Sequence, residues 1–63
     1  MISVITPVYN GADFIVETVE SVLNAIGNRN IEYIVVNDGS TDNTLEKLER
    51  FDDQIRILNQ VNG

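Results

Sequence analysis

Two short segments of the sequence carry side chains that could hold a small ligand built from a flat ring and a sugar. The first covers residues 7–11, Pro-Val-Tyr-Asn-Gly, and the second covers residues 37–40, Asn-Asp-Gly-Ser. Tyr9 supplies an aromatic ring and Asp38 a carboxylate. If the fold brings the two segments together, a base and a ribose could lie between them, so we predict a nucleoside pocket.

Taken one at a time, these residues have simpler explanations. A lone Tyr9 commonly packs its ring on a neighbouring helix with its hydroxyl in water. Pro7 is suited to ending a strand, and Asp38-Gly39 is a standard turn pair. Ser40-Thr41 stands directly before a predicted helix, where capping residues belong. The pocket therefore depends on the elements that position both segments.

Three β-branched or apolar runs predict strands. The first covers residues 2–6 and is stopped by Pro7, because proline cannot donate to a sheet ladder. The second covers residues 32–36 and has the unbroken apolar stretch typical of a strand buried on both faces. The third covers residues 54–59, and residues 60–63 read as a loop.

A first helix is predicted between strands one and two. Asn10 is the expected N-cap, and Asp13 three residues later takes the place of the Glu in a capping box, with a shorter side chain. Gly27 is the expected residue at which the helix stops. Apolar residues recur at helical spacing and form one stripe: Ile15, Val19, Val22, Leu23 and Ile26. This stripe should face the sheet.

A second helix is predicted over residues 42–51. Leu45 and Leu48 should point inward, and Glu46 is placed to pair with Arg50 one turn later. The acidic pair Asp52-Asp53 ends the helix far from the carboxyl ends of the strands. We therefore interpret that pair as a solvated turn and not as a metal site.

The element order is β-α-β-α-β, which predicts the α/β class with a parallel sheet in strand order 3-2-1. Right-handed crossovers stepping the same way place both helices on one face. Parallel strands this apolar are normally covered on both faces, so the rest of a longer chain or a dimer should cover the other one. In open parallel sheets, ligands bind outside the carboxyl ends of the strands, which is where the loops after strands one and two lie.

Composition narrows the function classes. Ten acidic and four basic residues give a formal charge of −6 in a chain of 63 residues, so binding of nucleic acid is disfavoured. There is no cysteine, hence no disulfide framework, which fits a reducing compartment. No apolar run approaches the roughly 18 residues that span a bilayer, and the first residues lack the basic flank of a secretory signal. We expect a location in the cytoplasm, or at the cytoplasmic membrane face through regions outside this chain.

Three strings together are more specific than any one of them. They are residues 3–11, Ser-Val-Ile-Thr-Pro-Val-Tyr-Asn-Gly; residues 17–23, Glu-Thr-Val-Glu-Ser-Val-Leu; and residues 34–42, Ile-Val-Val-Asn-Asp-Gly-Ser-Thr-Asp. At this separation they closely resemble the start of the family 2 glycosyltransferases of the GT-A fold. The resemblance covers essentially the whole chain. The common form of the last string has two adjacent Asp residues, and here Asn37 replaces the first.

The resemblance implies a role for five residues. Asp38 would accept a hydrogen bond from the imide N–H of uracil, and Tyr9 would lie against the base. The backbone around Pro7 and Val8 would line the uridine site, and Gly39 would let the backbone run close to the nucleotide. Physical chemistry agrees, because a carboxylate is acceptor-only and an aromatic face stacks on any base.

The resemblance also implies that residues 1–63 are the N-terminal part of one GT-A domain whose remainder lies beyond Gly63. Family members carry, further along, an Asp-x-Asp-type motif for Mg²⁺ or Mn²⁺ and a carboxylate that serves as general base, so this chain alone should be inactive. The implied reaction is transfer of a sugar with inversion from a nucleotide-sugar, UDP being the expected carrier, to a saccharide or lipid-linked acceptor hydroxyl. We also expect self-association through the uncovered sheet face.

Other interpretations remain. A dinucleotide-binding oxidoreductase would need a Gly-rich turn after strand one, where only Gly11 is present. A phosphoacceptor receiver domain would need an acidic pair after strand one, which this chain lacks. The non-enzymatic alternative is a stand-alone interaction module that uses this half-fold as a scaffold.

Overall fold

The computed structural model describes residues 2–61 and contains three strands, two helices and a short 3₁₀ turn. The elements in chain order are β1 (Ile2–Val8), α1 (Ile15–Ile26), β2 (Ile31–Asp38), α2 (Thr44–Leu48), the 3₁₀ turn (Glu49–Phe51) and β3 (Arg56–Gln60). The predicted α/β class and element order are confirmed.

All three strands are parallel, with β2 in the centre and β1 and β3 at the edges. This is the predicted order 3-2-1, in which strands consecutive in the chain are neighbours in the sheet. The register pairs Val8 with Asn37, and Asn37 with Asn59. The three strands therefore end side by side at one edge of the sheet.

One hydrophobic core lies between the sheet and both helices. The predicted stripe of α1 faces it, with Ile15, Val19 and Ile26 buried and Val22 and Leu23 partly buried. From α2 the core receives Leu48, which is fully buried. The strands contribute every second residue, including Val8, Tyr33 and Val35. Both helices therefore cover the same face of the sheet, as predicted.

The opposite face of the sheet, which we call the open face, carries the alternate residues of each strand. Its apolar members are Ile5, Pro7, Ile34, Val36 and Leu58. Ile5 is 61% exposed and Leu58 is 43% exposed, because no element among residues 2–61 packs against them. At its other end, Glu32 accepts a hydrogen bond from the Ser3 hydroxyl and lies 3.8 Å from the Arg56 guanidinium. The predicted bare face is confirmed for this part of the chain.

The predicted end of the first strand was wrong. Pro7 does not stop β1 but lies within it, in register with Val36. Proline is tolerated here because β1 is an edge strand, where a missing N–H can face away from the partner strand. The ladder consequently extends two residues closer to the loop that follows.

The predicted start of the first helix was also wrong. Phe14 and Ile15 donate their backbone N–H groups to Gly11 O and close a turn, and α1 begins only at Ile15. Asn10 is not the N-cap, and no side chain caps this end. The other end agrees with prediction, since Gly27 adopts φ 59° and donates its N–H to Leu23 O.

The second helix is shorter than predicted, and the third strand starts and ends later. After α2 the chain tightens into the 3₁₀ turn, whose Phe51 O accepts the N–H groups of Gln54 and Ile55. This turn delays β3 to Arg56, while Gln60, predicted in a loop, is its last residue.

The predicted pair of Glu46 and Arg50 does not form, since the one ion pair within residues 2–61 joins Glu32 and Arg56. The last two residues of the predicted loop lie outside the described residues.

Candidate functional site

The carboxyl ends of the strands place three polar side chains in a row. Val8, Asn37 and Asn59 are register neighbours, and each is followed by one residue of the row: Tyr9, Asp38 and Gln60. Tyr9 is 52% exposed and Asp38 is half-buried. The row therefore presents an aromatic ring, a carboxylate and an amide along one edge of the sheet.

Asn10 joins the two loops that leave this edge, the first rim loop (residues 9–14) and the second rim loop (residues 39–43). Its side-chain oxygen accepts the backbone N–H of Thr41 at 2.7 Å, and its own backbone N–H donates to Ser40 Oγ at 2.9 Å. To do this Asn10 adopts φ 49°, a left-handed conformation that Asn tolerates better than most residues. The predicted convergence of the two loops is thereby confirmed.

Asp42 makes a second connection between the rim loops. Its carboxylate accepts the backbone N–H of Ala12 in the first loop at 3.2 Å, and both the N–H and the hydroxyl of Thr44 at the start of α2. The hydrogen bond from the Thr44 side chain, supported by those from the two backbone groups, lowers the pKa of Asp42 below its ordinary 3.8. Lys47 adds a link from α2, since its ammonium donates to Ala12 O at 2.8 Å.

The interpretation of Ser40 and Thr41 as helix caps was wrong. Both bond to Asn10 of the first rim loop, and the capping bond to the first N–H of α2 comes from Asp42. The residue types were suited to either role, because short polar side chains bond nearby backbone groups wherever these are free. Here Ser40 Oγ accepts a backbone N–H of the first rim loop and not one of α2.

Two glycines shape the rim loops. Gly11 is buried, and a Cβ placed on it would lie 2.9 Å from Phe14 Cζ and closer still to Val8 Cγ2. A side chain at this position would therefore push the turn away from β1. Gly39 has φ 67°, a conformation that glycine adopts without steric cost. It lies in a bend directly after Asp38.

Asp38 is bonded to the neighbouring strand. Gln60 Nε2 donates to Asp38 Oδ1 at 3.1 Å, and the two residues are register partners. Beside them an open groove of about 490 Å³ is lined by Gly39, Ser40, Asn59, Gln60 and Val61. The groove lies against the second rim loop, and its lining includes Gly39 and Gln60, the residue that follows Asp38 and the residue bonded to it.

Asn37, which stands where the common motif has an acid, is 5% exposed. Its amide nitrogen donates to Asn59 Oδ1 at 3.0 Å, while its own oxygen has no hydrogen-bond partner within residues 2–61. A neutral amide suits this buried place better than a second carboxylate would, because burying an unpaired charge is costly. Asn37 therefore lies on the core face of the sheet, where it bonds to β3, and does not reach the rim.

Comparison with known proteins decides the family. The sequence model described as glycosyl transferase family 2 matches residues 3–63. The chain belongs to this family. Glycosyltransferase GlyG of Streptococcus pneumoniae is 45% identical over 65 residues, which cover 98% of this chain and 21% of that protein. An uncharacterized glycosyltransferase of Rickettsia prowazekii is 46% identical over 63 residues, covering 100% of this chain and 20% of the relative.

A third relative is the putative teichuronic acid biosynthesis glycosyltransferase TuaG of Bacillus subtilis. It is 43% identical over 61 residues, which cover 92% of this chain and 24% of TuaG. The chain thus spans about a fifth to a quarter of the length of these three relatives.

The structure gives each residue predicted for the family 2 nucleotide site a definite environment. Pro7 lies exposed on the open face, and Val8 is buried, so only the backbone of Val8 can face a ligand. Tyr9 and Asp38 follow register neighbours at the rim, and Gly39 forms the turn beyond. The edge of the sheet thus carries an exposed aromatic ring and a carboxylate, the two groups that were predicted to hold a base.

Three further residues at the rim were missed by sequence reasoning. Asn10 was predicted as a helix cap and Asp42 as the first residue of the second helix, whereas both join the two rim loops. Gln60 was assigned to a loop, although its register with Asp38 follows from extending the third strand by one residue. The contacts of Asn10 and Asp42 join two loops, and the contact of Gln60 joins two strands. All three become visible only in the folded chain.

Two findings concern metals and membranes. Within residues 2–61 no group of three or more His, Cys, Asp or Glu side chains could hold a metal ion. In the same part of the chain, no helix combines the length and the apolar character needed to cross a bilayer.

Proposed function

We propose that this chain supplies the nucleotide-binding part of a glycosyltransferase that uses a nucleotide-sugar donor, with UDP as the carrier. The observation that supports this most is the joining of the two rim loops by Asn10, in a chain that belongs to glycosyl transferase family 2. It fixes the loops that follow Tyr9 and Asp38 relative to one another. A base that stacks on Tyr9 would then present its edge to Asp38.

The chemistry of the two side chains favours a base with an edge N–H. An ionised carboxylate only accepts hydrogen bonds, and a charge-assisted bond to an N–H donor is about twice as strong as a neutral one. Uracil presents an imide N–H between two carbonyl oxygens. Cytosine presents a bare ring nitrogen at the same place, which would face the carboxylate with lone pair against lone pair. The site therefore favours uridine nucleotides over cytidine nucleotides.

In the proposed reaction the acceptor hydroxyl oxygen attacks the anomeric carbon of the sugar, and the bond from that carbon to the diphosphate oxygen breaks. The hydroxyl proton passes to a general base, the diphosphate leaves with the electron pair, and attack from the opposite side inverts the anomeric configuration. The acceptor class we propose is a saccharide or a lipid-linked saccharide. The part of the reaction assigned to this chain is holding the nucleoside.

The divalent metal that the family resemblance implies, Mg²⁺ or Mn²⁺, does not fit the residues described here. Asp42 lies in the second rim loop and bonds to the first, and its carboxylate already accepts hydrogen bonds from Ala12 and Thr44. Asp38 is bonded to Gln60. We therefore place the metal ligands and the general base in other regions of the full-length protein and assign no step at the metal to this chain.

Titration calorimetry of UDP against the full-length protein tests the proposal. Asp38→Asn should weaken UDP binding roughly ten-fold to a hundred-fold, because it removes a charge-assisted bond of about 1.5–3 kcal/mol. Asp53→Asn is the matched control, since Asp53 is exposed in the turn before β3. If Asp38 were only a turn residue, Asn would replace it silently. Equal UDP affinities of wild type and Asp38→Asn would therefore overturn the proposal.

A further inference from the structure

Gln60 stands beside the proposed base-binding carboxylate. Its amide nitrogen donates to Asp38 Oδ1 at 3.1 Å. The bonded atom has to be the NH₂ group, because a carboxylate offers no donor. That leaves Gln60 a second N–H and the carbonyl oxygen, and it leaves Asp38 its other oxygen.

The free groups of Gln60 are accessible. Gln60 is exposed, and it lines the groove of about 490 Å³ together with residues of the second rim loop. The backbone ladder already pairs β2 with β3 at this position. Joining the strands therefore does not by itself require a side-chain bond here, and the exposed amide can bond a ligand that enters the groove.

Together the two side chains present an acceptor next to a donor. Uracil presents the complement along its edge, an N–H donor flanked by carbonyl acceptors. Cytosine lacks it, because its ring nitrogen is an acceptor and its amino group is a donor. A carboxylate alone can address only the N–H, whereas the pair of Asp38 and Gln60 can also address a carbonyl oxygen beside it.

We propose that Gln60 is a second base-reading residue, which donates an N–H to the O4 carbonyl oxygen of uracil, where cytosine carries an amino group, while Asp38 accepts the adjacent imide N–H. This inference rests on the proposed function and deepens it. It assigns part of the preference for uracil over cytosine to the end of β3. In this arrangement the bond between Gln60 and Asp38 orients both side chains toward one edge of the base.

The test uses the full-length protein and titration calorimetry with UDP and CDP. Gln60→Met keeps the length of the side chain and removes its donors, and Gln54→Met is the matched control at an exposed glutamine in the turn before β3. We expect Gln60→Met to weaken UDP binding about tenfold and to leave CDP binding nearly unchanged, because one hydrogen bond to the base is lost. Gln54→Met should bind both as wild type does.

Thiouridine diphosphates in which sulfur replaces one or the other carbonyl oxygen identify the contact, since sulfur is a weak acceptor. Wild type should lose affinity for the analogue with sulfur at position 4 and not for the one with sulfur at position 2, and Gln60→Met should show no such loss. Equal weakening of UDP and CDP by Gln60→Met, or no effect on either, would overturn the inference while leaving the effect of Asp38→Asn intact. Wild-type protein that does not bind UDP would instead overturn the proposed function itself.

Discussion

The side-chain oxygen of Asn10 accepts the backbone N–H of Thr41 at 2.7 Å, across 31 residues of sequence. The bond ties the loop after β1 to the loop after β2, and Asn10 holds φ 49° in making it. A left-handed backbone and a side-chain acceptor are thus required at one position. Few residue types satisfy both requirements.

Substitutions at Asn10 should separate these two requirements. Asn10→Gly keeps the backbone conformation but removes the acceptor, so we expect a loss of about 1–2 kcal/mol in the free energy of unfolding. Asn10→Asp keeps both the acceptor and the tolerance of positive φ and should stay close to wild type. Denaturant unfolding of the full-length protein measures both variants. Equal stabilities of the Gly and Asp variants would show that the bond to Thr41 does not contribute.

Asp42 should make stability depend on pH in a defined direction. Its pKa is lowered from the ordinary 3.8 by the hydrogen bonds from Thr44 and Ala12, so folding favours the ionised form. The stabilisation is fully present above pH 3.8, the ordinary value, and is lost as the pH falls through the folded-state pKa.

The comparison with Asp42→Asn isolates this contribution. Wild type should be more stable than the variant at about pH 6, and the difference should shrink toward about pH 2. Thermal unfolding at a series of pH values measures it. A difference that is constant across the series would mean that the charge of Asp42 does not matter.

Gly11→Ala should destabilise the protein by about 1–3 kcal/mol, the range found for overpacking. The added methyl group would press on Val8, which is buried and cannot move aside, and on Phe14, which is 53% exposed and can. A double-mutant cycle with Val8→Ala should therefore give a favourable coupling energy, because the second change makes room. Strictly additive losses would place the strain elsewhere.

The open face should make the isolated 63-residue chain associate. Ile5 and Leu58 are exposed on strands whose other face is the core, and burying them would gain apolar contact. Sedimentation velocity at micromolar concentrations should show oligomers that Leu58→Lys weakens. Val61→Lys, at a position 91% exposed and beyond the end of β3, is the matched control with the same change of charge. A monomer with a cooperative thermal transition would contradict the expectation.

The fold was largely predictable because its determinants are periodic. The stripe of α1 and the apolar strands indicate which surfaces meet, and short crossovers leave one sheet order as the simplest. The end of β1 was not predictable in the same way. Whether Pro7 breaks a strand depends on whether that strand lies at an edge, which is a property of the sheet and not of the residues beside it.

The rim was predictable in outline only. The placement of Tyr9 and Asp38 at the same edge follows from parallel strands that end together, and their contact with a nucleotide stays a prediction. The roles of Asn10 and Asp42 did not follow, because the residue types that cap helices also bond backbone groups of a neighbouring loop. Only tertiary structure decides between these two uses.

The two tyrosines of the chain occupy opposite environments. Tyr33 is 2% exposed and shares a hydrogen bond of 2.9 Å with Thr6, whereas Tyr9 is 52% exposed at the rim. The chain contains no tryptophan. Fluorotyrosine incorporated into the isolated chain would therefore give one resonance from the core and one from the rim. The first would report whether the chain is folded, and the second would shift when a base stacks beside it, so a single spectrum would separate folding from ligand binding.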